Sequence, residues 1–303
     1  MTRWITLVVN PTAGRGRAAR FLPAVQARLR ATGADLHVVA STSFEHARAT
    51  MAGAVAGGAD VLAVMGGDGM LHLGLNACAD QADSNPTLLG MIPAGSGNDF
   101  CRGAGLAPDD PVAAAAVATG GRRQDLDLIR VQDRYVGAVL ATGFDSLVNR
   151  RANALPWPRG SLRYPVAALA ELRVFSPLRY RLTLDGTVRE LEAMLVAVGN
   201  TTTYGGGMQI CPRASATDGW LDVTIIHPVS RLKLLQLLPQ MNSGRFARDP
   251  CVEQVRARTV RVDGEGVDGT PLVTFGDGEH LGNVPVDATV AAKVLPLLVS
   301  AAR

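Results

Sequence analysis

Short apolar segments alternate with helix-like segments through the first third of the chain. The apolar segments, which are predicted strands, lie at residues 4–9, 35–40, 61–65 and 88–92. The helical patterns between them lie at residues 18–31, 44–56 and about 70–79. Strands that alternate with helices are typical of βαβ units, so the first half is predicted to be an α/β domain with a parallel sheet.

A glycine-rich turn follows three of these strands. The turns are NPTAGRG at 10–16, GGDG at 66–69 and PAGSGND at 93–99. In a parallel sheet, ligands bind at the carboxyl ends of the strands, where these turns lie. Glycine lets the backbone approach a ligand closely, and N–H groups at a helix N-terminus attract phosphate. One such turn is often only a tight connection, but three on one sheet favour a nucleotide-phosphate site.

Two common nucleotide-binding motifs are missing. Neither lysine of the chain, Lys233 or Lys293, lies near a glycine-rich turn, which excludes a Walker A loop. In the first turn, Gly14 and Gly16 are followed by Ala19, so the Rossmann fingerprint is also missing.

The second half, from about residue 125, has a different pattern. A hairpin is predicted with Asp185 and Gly186 at its turn. Further predicted strands lie at 220–226 and 258–262, and the predicted interruptions are helices near 162–174 and 230–240 and a loop at 156–158. This half is therefore predicted to be mostly β.

Charge and cysteine content exclude several classes of protein. The net charge is +3, from 30 basic and 27 acidic residues, and no block of five basic residues occurs, so a nucleic-acid partner is not expected. The four cysteines form no Cys-x-x-Cys pair, so neither a zinc site nor a disulfide framework is indicated. The first apolar segment is too short for a signal peptide, and no segment approaches the roughly 18 apolar residues of a membrane span. A cytoplasmic protein is expected.

The three turns belong to a set of six elements that resembles the diacylglycerol kinase catalytic-domain family, which includes diacylglycerol kinases, sphingosine kinases and bacterial lipid kinases. The other elements are GFDSLV at 143–148, YGGGMQICPRASATDGWLDV at 204–223 and FGDGEHLGNVPV at 275–286. GGDG alone also resembles NAD kinases and phosphofructokinases, but six elements in this order over nearly the whole chain are specific.

The resemblance implies an N-terminal α/β nucleotide-binding domain, with a parallel sheet like that of NAD kinase or phosphofructokinase, and a mostly antiparallel C-terminal β-sandwich domain. We expect these domains at residues 1–124 and 125–290, with a C-terminal segment, 291–303, that returns to the first domain. The implied enzyme transfers the γ-phosphoryl group of ATP, with Mg²⁺, to a lipid hydroxyl in the cleft between the domains. Diacylglycerol, a sphingoid base and phosphatidylglycerol all stay open as acceptors.

The resemblance also implies which residues bind the nucleotide. They are Asn10, Pro11, Thr12, Ala13, Gly14, Thr42, Gly66, Gly67, Asp68, Gly69, Met70, Leu71, His72, Leu73, Ser96, Asn98 and Asp99, with Ser41 as an alternative to Thr42. Asp68 is expected to supply a hard oxygen ligand for the Mg²⁺ that accompanies ATP, or alternatively to cap the following helix. Asp99 is expected to join an ionic network with Arg102 near the phosphates, or alternatively to be a plain helix cap like Asn98.

Phosphoryl transfer to a hydroxyl calls for a carboxylate that accepts the proton. Two Asp-Gly-Glu triplets are candidates, at 263–265 and 277–279. The first is interpreted as a solvated hairpin tip, and the second matches the family. Asp277 and Glu279, together with Asp68, are therefore the predicted catalytic residues, and Glu279 is preferred as the proton acceptor.

A structural Mg²⁺ is implied at Ser215, Asp218 and the backbone carbonyl of Trp220. A β-turn at Asp218 and Gly219 explains the same residues without a metal. Asp127 and Asp145 are either further cleft residues or structural acids.

The chain departs from the family after GGDG, where Met70, His72 and Leu73 stand in place of the usual Thr, Asn and Glu. Two alternatives therefore stay open: a regulatory nucleotide-binding protein with weak catalysis, and an NAD-kinase-like kinase of a soluble alcohol. The apolar stretch 161–175 either docks on a membrane, covers the acceptor cleft or packs on its own sandwich. The expected partners are ATP, a lipid alcohol and the inner membrane face, with a homodimer also open.

Overall fold

The computed structural model describes the chain except for residues 1, 82–85, 107–108, 145, 149–150, 152–165, 168–169, 171–175, 267–268, 270–271 and 302–303. Asp145 and the predicted loop at 156–158 lie outside the described residues, as does most of the stretch 161–175 with its predicted helix. Within the part that is described, no helix is long and apolar enough to cross a membrane.

The first half is an α/β structure, as the alternating pattern predicts. Its strands are β1 (Trp4–Val9), β2 (Asp35–Ala40), β3 (Val61–Gly66) and β4 (Leu88–Pro93), parallel and in the order β2-β1-β3-β4. Its helices are α1 (Ala13–Arg30), α2 (Phe44–Ala56), α3 (Asp68–Cys78), α4 (Asp99–Gly103) and α5 (Pro111–Gly120). The four predicted strands and the predicted second and third helices are confirmed to within two residues.

The start of α1 differs from the prediction at residue 18. Gly14, Arg15 and Gly16 all have positive φ, so the first residues assigned to α1 form a left-handed kink before the regular helix. The glycine-rich sequence therefore still acts as a turn, which is what its composition favours.

Both faces of the parallel sheet are covered, because successive side chains of a strand point to opposite faces. On β1, Ile5 and Leu7 belong to a buried cluster with Val25 of α1, and Val8 belongs to a second cluster with Met51 of α2. This packing fixes the sheet between two helical layers, and its carboxyl edge stays open to a ligand.

The second half is mostly β, as predicted. Its strands are β5 (Arg122–Val131), β6 (Arg134–Val136), β7 (Val139–Gly143), β8 (Leu178–Leu184), β9 (Thr187–Ala193), β10 (Leu195–Gly199), β11 (Leu221–Ile226), β12 (Val252–Ala257), β13 (Thr259–Glu265), β14 (Val273–Gly276), β15 (Glu279–Asn283) and β16 (Val286–Val299). Helix α6 (Arg231–Met241) and a 3-10 turn (Arg245–Arg248) lie between β11 and β12. Six of the strands form an antiparallel sheet in the order β12-β11-β10-β7-β14-β15.

The remaining strands extend the first sheet across the molecule. Strand β16 lies parallel to β4, with Leu297 opposite Leu89, and antiparallel to β13, which pairs with β8. The order β4-β16-β13-β8-β9 therefore continues the parallel sheet into the second half, where it forms the other layer of the β-sandwich. The exact division at residues 124 and 290 stays a prediction.

One hairpin prediction is confirmed and one is wrong. Asp185 and Gly186, both with positive φ, join β8 to β9 as predicted. Residues 263–265, predicted as a hairpin tip, are the last residues of β13 and pair with Arg179–Arg181 of β8. Asp and Gly favour turns, but pairing with a neighbouring strand overrides that local preference here.

Candidate active site

A cleft of about 600 Å³ lies at the carboxyl edge of the parallel sheet, where the glycine-rich turns meet. The second half contributes the turn at 277–279, so the cleft lies between the two halves. The residues that line it are Asn10, Thr12, Ala13, Gly14, Ser41, Thr42, Ser43, Phe44, Gly67, Asp68, Gly69, Met70, Gly95, Ser96, Asp277, Gly278 and Glu279.

The first and third turns contact each other through Gly14. A Cβ atom at Gly14 would lie 2.1 Å from the carbonyl oxygen of Ala94, so only glycine fits this contact. Within the first turn, Asn10 Oδ1 accepts hydrogen bonds from the backbone N–H (3.1 Å) and the hydroxyl (2.8 Å) of Thr12. The turn is therefore fixed before any ligand binds.

The second and third turns are joined by the Asp68 carboxylate. Its oxygens accept hydrogen bonds from the backbone N–H groups of Asn98 (2.9 Å) and Asp99 (2.8 Å). Burial raises the pKa of Asp68, these hydrogen bonds oppose that increase, and the nearby Asp277 charge adds to it. Asp68 thus does more than the predicted alternative of capping its own helix, because it holds two loops at the cleft floor together.

Asp99 joins the third turn to the second half of the chain. Its carboxylate accepts hydrogen bonds from the backbone N–H groups of Gly206 (2.8 Å) and Gly207 (2.7 Å). Burial raises the pKa of Asp99 to about 6 in spite of these two bonds, and the Asp68 charge adds to the increase. Asp99 does not line the cleft, and its contact with the triglycine loop, residues 205–207, was not predicted.

Three protein groups donate to the Asp277 carboxylate. It accepts hydrogen bonds from the backbone N–H groups of Ala138 (2.8 Å) and Gly137 (2.7 Å), and His72 Nδ1 lies 3.1 Å from its Oδ2 atom. A carboxylate only accepts hydrogen bonds, so His72 Nδ1 is the donor in this contact. Asn76 Nδ2 lies 3.3 Å from the opposite ring nitrogen, Nε2. This arrangement fixes the turn that carries Glu279.

Glu279 has different surroundings. Its side chain is half-buried and lines the cleft, and no hydrogen bond or ion pair joins its carboxylate to any residue that the structure describes. A Cβ atom at Gly69 would lie 3.3 Å from Glu279 Oε1, so this oxygen lies against the GGDG turn. An unengaged carboxylate beside a glycine-rich turn is free to accept a proton from a bound hydroxyl.

Several residues of the predicted nucleotide set do not line the cleft. Leu71 and Leu73 are buried in the core beneath α3, and Asn98 is buried and accepts a hydrogen bond from the Gly95 N–H (3.2 Å). The others are Pro11, Gly66, His72 and Asp99. The Arg102 guanidinium donates to the Gly97 carbonyl (3.1 Å), so it braces the third turn.

Sequence reasoning missed Phe44 and Ser43, which line the cleft at the start of α2. Ser43 caps this helix by accepting a hydrogen bond from the His46 N–H (3.0 Å). Their position in the sequence could have indicated them, because they follow the predicted strand β2 and so lie at the same sheet edge as the glycine-rich turns. Ser41 and Thr42 both line the cleft.

The residues predicted to hold a structural metal are engaged with protein groups. Asp218 accepts a hydrogen bond from the Trp220 N–H (3.1 Å) and forms an ion pair with Arg256, and the Ser215 hydroxyl lies 3.1 Å from that of Thr217. Among the described residues, no group of three or more His, Cys, Asp or Glu side chains is arranged to hold a metal. The β-turn alternative explains both contacts of Asp218, with the Trp220 N–H and with Arg256. The metal set of Ser215, Asp218 and the Trp220 carbonyl stays a prediction.

Asp127 is a structural acid in the part of the chain described. It is buried, and it accepts hydrogen bonds from the backbone N–H groups of Gly219 (2.7 Å) and Lys293 (2.8 Å). It therefore ties the 215–220 loop to β16.

Two family models together match almost the whole chain. The model described as the diacylglycerol kinase catalytic domain matches residues 4–131, and the model described as the YegS C-terminal NAD kinase beta sandwich-like domain matches residues 138–299.

Similar proteins cover the same length. A diacylglycerol kinase of Mycobacterium tuberculosis is 39% identical over 300 residues, which cover 97% of this chain and 94% of that protein. A diacylglycerol kinase of Staphylococcus aureus is 26% identical over 288 residues, with coverages of 95% and 89%. The crystal structure of a diacylglycerol kinase from Bacillus anthracis matches the fold with a TM-score of 0.78 at 21% identity, with coverages of 98% and 97%.

Proposed function

Because this chain belongs to the diacylglycerol kinase catalytic-domain family, we propose that it is an ATP-dependent lipid kinase that phosphorylates the hydroxyl group of a lipid alcohol. The observation that carries the proposal is the unengaged Glu279 carboxylate, which lies against the GGDG turn in the cleft. A regulatory nucleotide-binding protein has no need of such a carboxylate. The proposal puts the enzyme in the cytoplasm at the inner membrane face, where ATP and a lipid alcohol are both available.

The nucleotide enters as MgATP, with its phosphates against the glycine-rich turns. Close approach of the phosphates is supported by the lack of side chains at Gly67, Gly69 and Gly95, which all line the cleft. Backbone N–H groups and the Mg²⁺ of the substrate neutralise the phosphates in place of a Walker A lysine. Asp68 supplies negative charge toward this metal and keeps the second and third turns in contact.

The transfer step needs one bond formed and one broken. The lipid hydroxyl oxygen bonds to the γ-phosphorus as the bond from that phosphorus to the bridging oxygen of ADP breaks, and the hydroxyl proton passes to Glu279. We assign the proton to Glu279 rather than to Asp277, because two backbone N–H groups and His72 already donate to the Asp277 carboxylate. Asp277 instead positions Glu279.

The test is a panel of dispersed lipid alcohols and water-soluble alcohols, each incubated with labelled ATP and Mg²⁺, with mass spectrometry of the products. We expect a phosphorylated lipid with the wild-type protein and its formation at a rate lower by a factor of about 10²–10⁴ with Glu279→Gln. Turnover of water-soluble alcohols alone would establish the soluble-alcohol kinase instead. Binding of ATP without turnover of any acceptor would establish the regulatory protein.

A further inference from the structure

Helix α6 presents apolar side chains to solvent as well as to the core. Leu234, Leu237 and Met241 are buried, and they form the face that packs on the sandwich. Leu232 and Leu235 lie about one turn apart on the other side, with 66% and 44% of their surfaces exposed. A helix that only covers a core is expected to be polar on its outer face, whereas α6 exposes Leu232 and Leu235 beside Arg231 and Gln236.

These two leucines differ from scattered apolar surface residues. In the described part of the chain, the large exposed hydrophobic side chains are Phe44, Val166, Val188, Leu232 and Leu235. Leu232 is the most exposed of them, and only Leu232 and Leu235 share one helix. Single exposed apolar residues are normal on soluble proteins, but neighbouring ones mark an interaction surface.

The segment that carries these leucines is basic. Residues 228–248 contain Arg231, Lys233, Arg245 and Arg248 and no Asp or Glu, so this segment carries four positive charges in a chain whose net charge is +3. Lys233 forms an ion pair with Asp249. The three arginines are exposed, and no ion pair joins them to any residue that the structure describes.

Helix stability does not account for these charges. The positive end of the helix dipole lies at the N-terminus, where acidic residues stabilise and basic ones do not. The first turn of α6 nevertheless contains Arg231 and Lys233 and no acidic residue. A partner outside the chain with negative charge would make this arrangement favourable.

We propose that the α6 face, defined as Arg231, Leu232, Leu235, Arg245 and Arg248, docks on the surface of an anionic lipid bilayer. The leucines enter the boundary between headgroups and acyl chains, and the arginines contact the lipid phosphates. This inference rests on the proposed function, because a lipid kinase has to meet its acceptor at a bilayer. It assigns the docking to α6 rather than to the stretch 161–175.

A short series of contacts joins the α6 face to the cleft. The Met241 carbonyl at the end of α6 accepts a hydrogen bond from the Gln209 N–H (2.8 Å). Gln209 follows the triglycine loop, whose Gly206 and Gly207 donate to Asp99, and the Asp99 N–H donates to Asp68. Docking at α6 therefore takes place one loop away from the candidate phosphate site.

The experiment is co-sedimentation of the full chain with vesicles of phosphatidylglycerol and phosphatidylcholine, or of phosphatidylcholine alone. We expect binding only to the anionic vesicles, and weaker binding as the salt concentration rises. Leu232→Ser with Leu235→Ser should lower the affinity by about tenfold or more, as should Arg245→Gln with Arg248→Gln. Val188→Ser, at a residue that is 48% exposed on β9, is the matched control and should leave binding unchanged.

The thermal midpoint of each variant is measured to establish that it folds. Equal vesicle binding by the wild type and the folded double-leucine variant would overturn the proposal. A wild-type dimer in solution that this variant dissociates would show instead that the face joins two copies of the chain. Vesicle binding through α6 without lipid phosphorylation would overturn the proposed function alone, and phosphorylation of a dispersed lipid without vesicle binding would overturn the docking alone.

Discussion

Glu279 and Asp277 lie two residues apart and have different surroundings. Asp277 accepts two backbone hydrogen bonds and contacts His72, whereas Glu279 has no described partner. The other Asp-Gly-Glu triplet, at 263–265, lies in β13, where Glu265 pairs with Arg179 (2.7 Å) near the surface. The same three-residue sequence thus has two different settings, and only one of them adjoins the cleft.

We expect Glu279→Gln to lower kcat by a factor of about 10²–10⁴, the usual contribution of a general base. The affinity for ATP should change little, because the base acts on the acceptor hydroxyl. Steady-state kinetics and an ATP titration measure both quantities. Asp263→Asn with Glu265→Gln is the matched control and should leave kcat nearly unchanged, since this triplet does not line the cleft. Its effect on stability should also be small, since an exposed ion pair contributes only about 0–1 kcal/mol.

Loss of activity in the control, with full activity in Glu279→Gln, would mean that the catalytic triplet is the one in β13. Full turnover in Glu279→Gln together with its loss in Asp277→Asn would assign the base to Asp277.

Asp68 contributes a negative charge to the cleft and also accepts two backbone hydrogen bonds, and two different substitutions separate these roles. We expect Asp68→Ala to abolish turnover and also to destabilise the fold, because it leaves the backbone N–H groups of Asn98 and Asp99 without an acceptor, at a cost of about 1–3 kcal/mol each. Asp68→Asn keeps one acceptor oxygen and removes the charge, so it should lose turnover with a smaller change in thermal midpoint. Wild-type activity of Asp68→Asn at limiting Mg²⁺ would contradict the role in metal binding.

At the scale of elements, the link between α4 and the triglycine loop depends on pH. The pKa of Asp99 is about 6 in the folded protein, against an ordinary value of 3.8. Between these two values the native state holds a proton that the unfolded state has released. The contribution of Asp99 to the free energy of unfolding is therefore greatest below pH 3.8 and is lost as the pH rises through about 6.

We expect the wild type to lose stability relative to Asp99→Asn as the pH rises from 4 to 6, by up to about 1.4 kcal/mol per pH unit. Above this window the difference should be constant. Urea unfolding at a series of pH values measures the difference in the free energy of unfolding between the two proteins. Asp133→Asn, in the exposed turn after β5, is the control; it retains Asp99 and should therefore lose stability over this pH range as the wild type does. A pH-independent difference between the wild type and Asp99→Asn would contradict the raised pKa.

The elements of the first half could be predicted because strand and helix patterns there alternate clearly. The cleft could be located from the glycine-rich turns, since they follow parallel strands. Side-chain direction within α3 could not be predicted, because this helix is buried on several sides, and Leu71 and Leu73 face the core although the resemblance implied nucleotide contact. Phe44 was missed because no glycine marks its loop. The contact of Asp99 with Gly206 joins residues far apart in sequence, for which local patterns carry no signal.

At the scale of the whole molecule, β16 connects the two halves. Its first residues pair with β13, its last residues pair with β5, and Leu297 lies beside Leu89 of β4. Leu295 and Leu297 are fully buried. The sequence alone did not predict that one sheet runs through both halves, because the order of strands in a sheet is set by contacts between distant segments.

A shared strand predicts that the two halves unfold together, although chains of this size often unfold through intermediates. Trp4 in β1 reports on the first half of the chain, and Trp220 beside β11 reports on the second half. The third tryptophan, Trp157, lies outside the described residues and is replaced by Phe in both reporter proteins. Adding Trp220→Phe leaves Trp4 as the fluorescent reporter, and adding Trp4→Phe leaves Trp220, so the urea unfolding of each half is followed separately. We expect coincident midpoints, and Leu297→Ala should lower both by the same amount, equivalent to about 2–5 kcal/mol. Leu232→Ala, at an exposed leucine, is the control and should shift neither midpoint. If Leu297→Ala shifts the midpoint of the Trp4 signal alone, β16 does not couple the two halves.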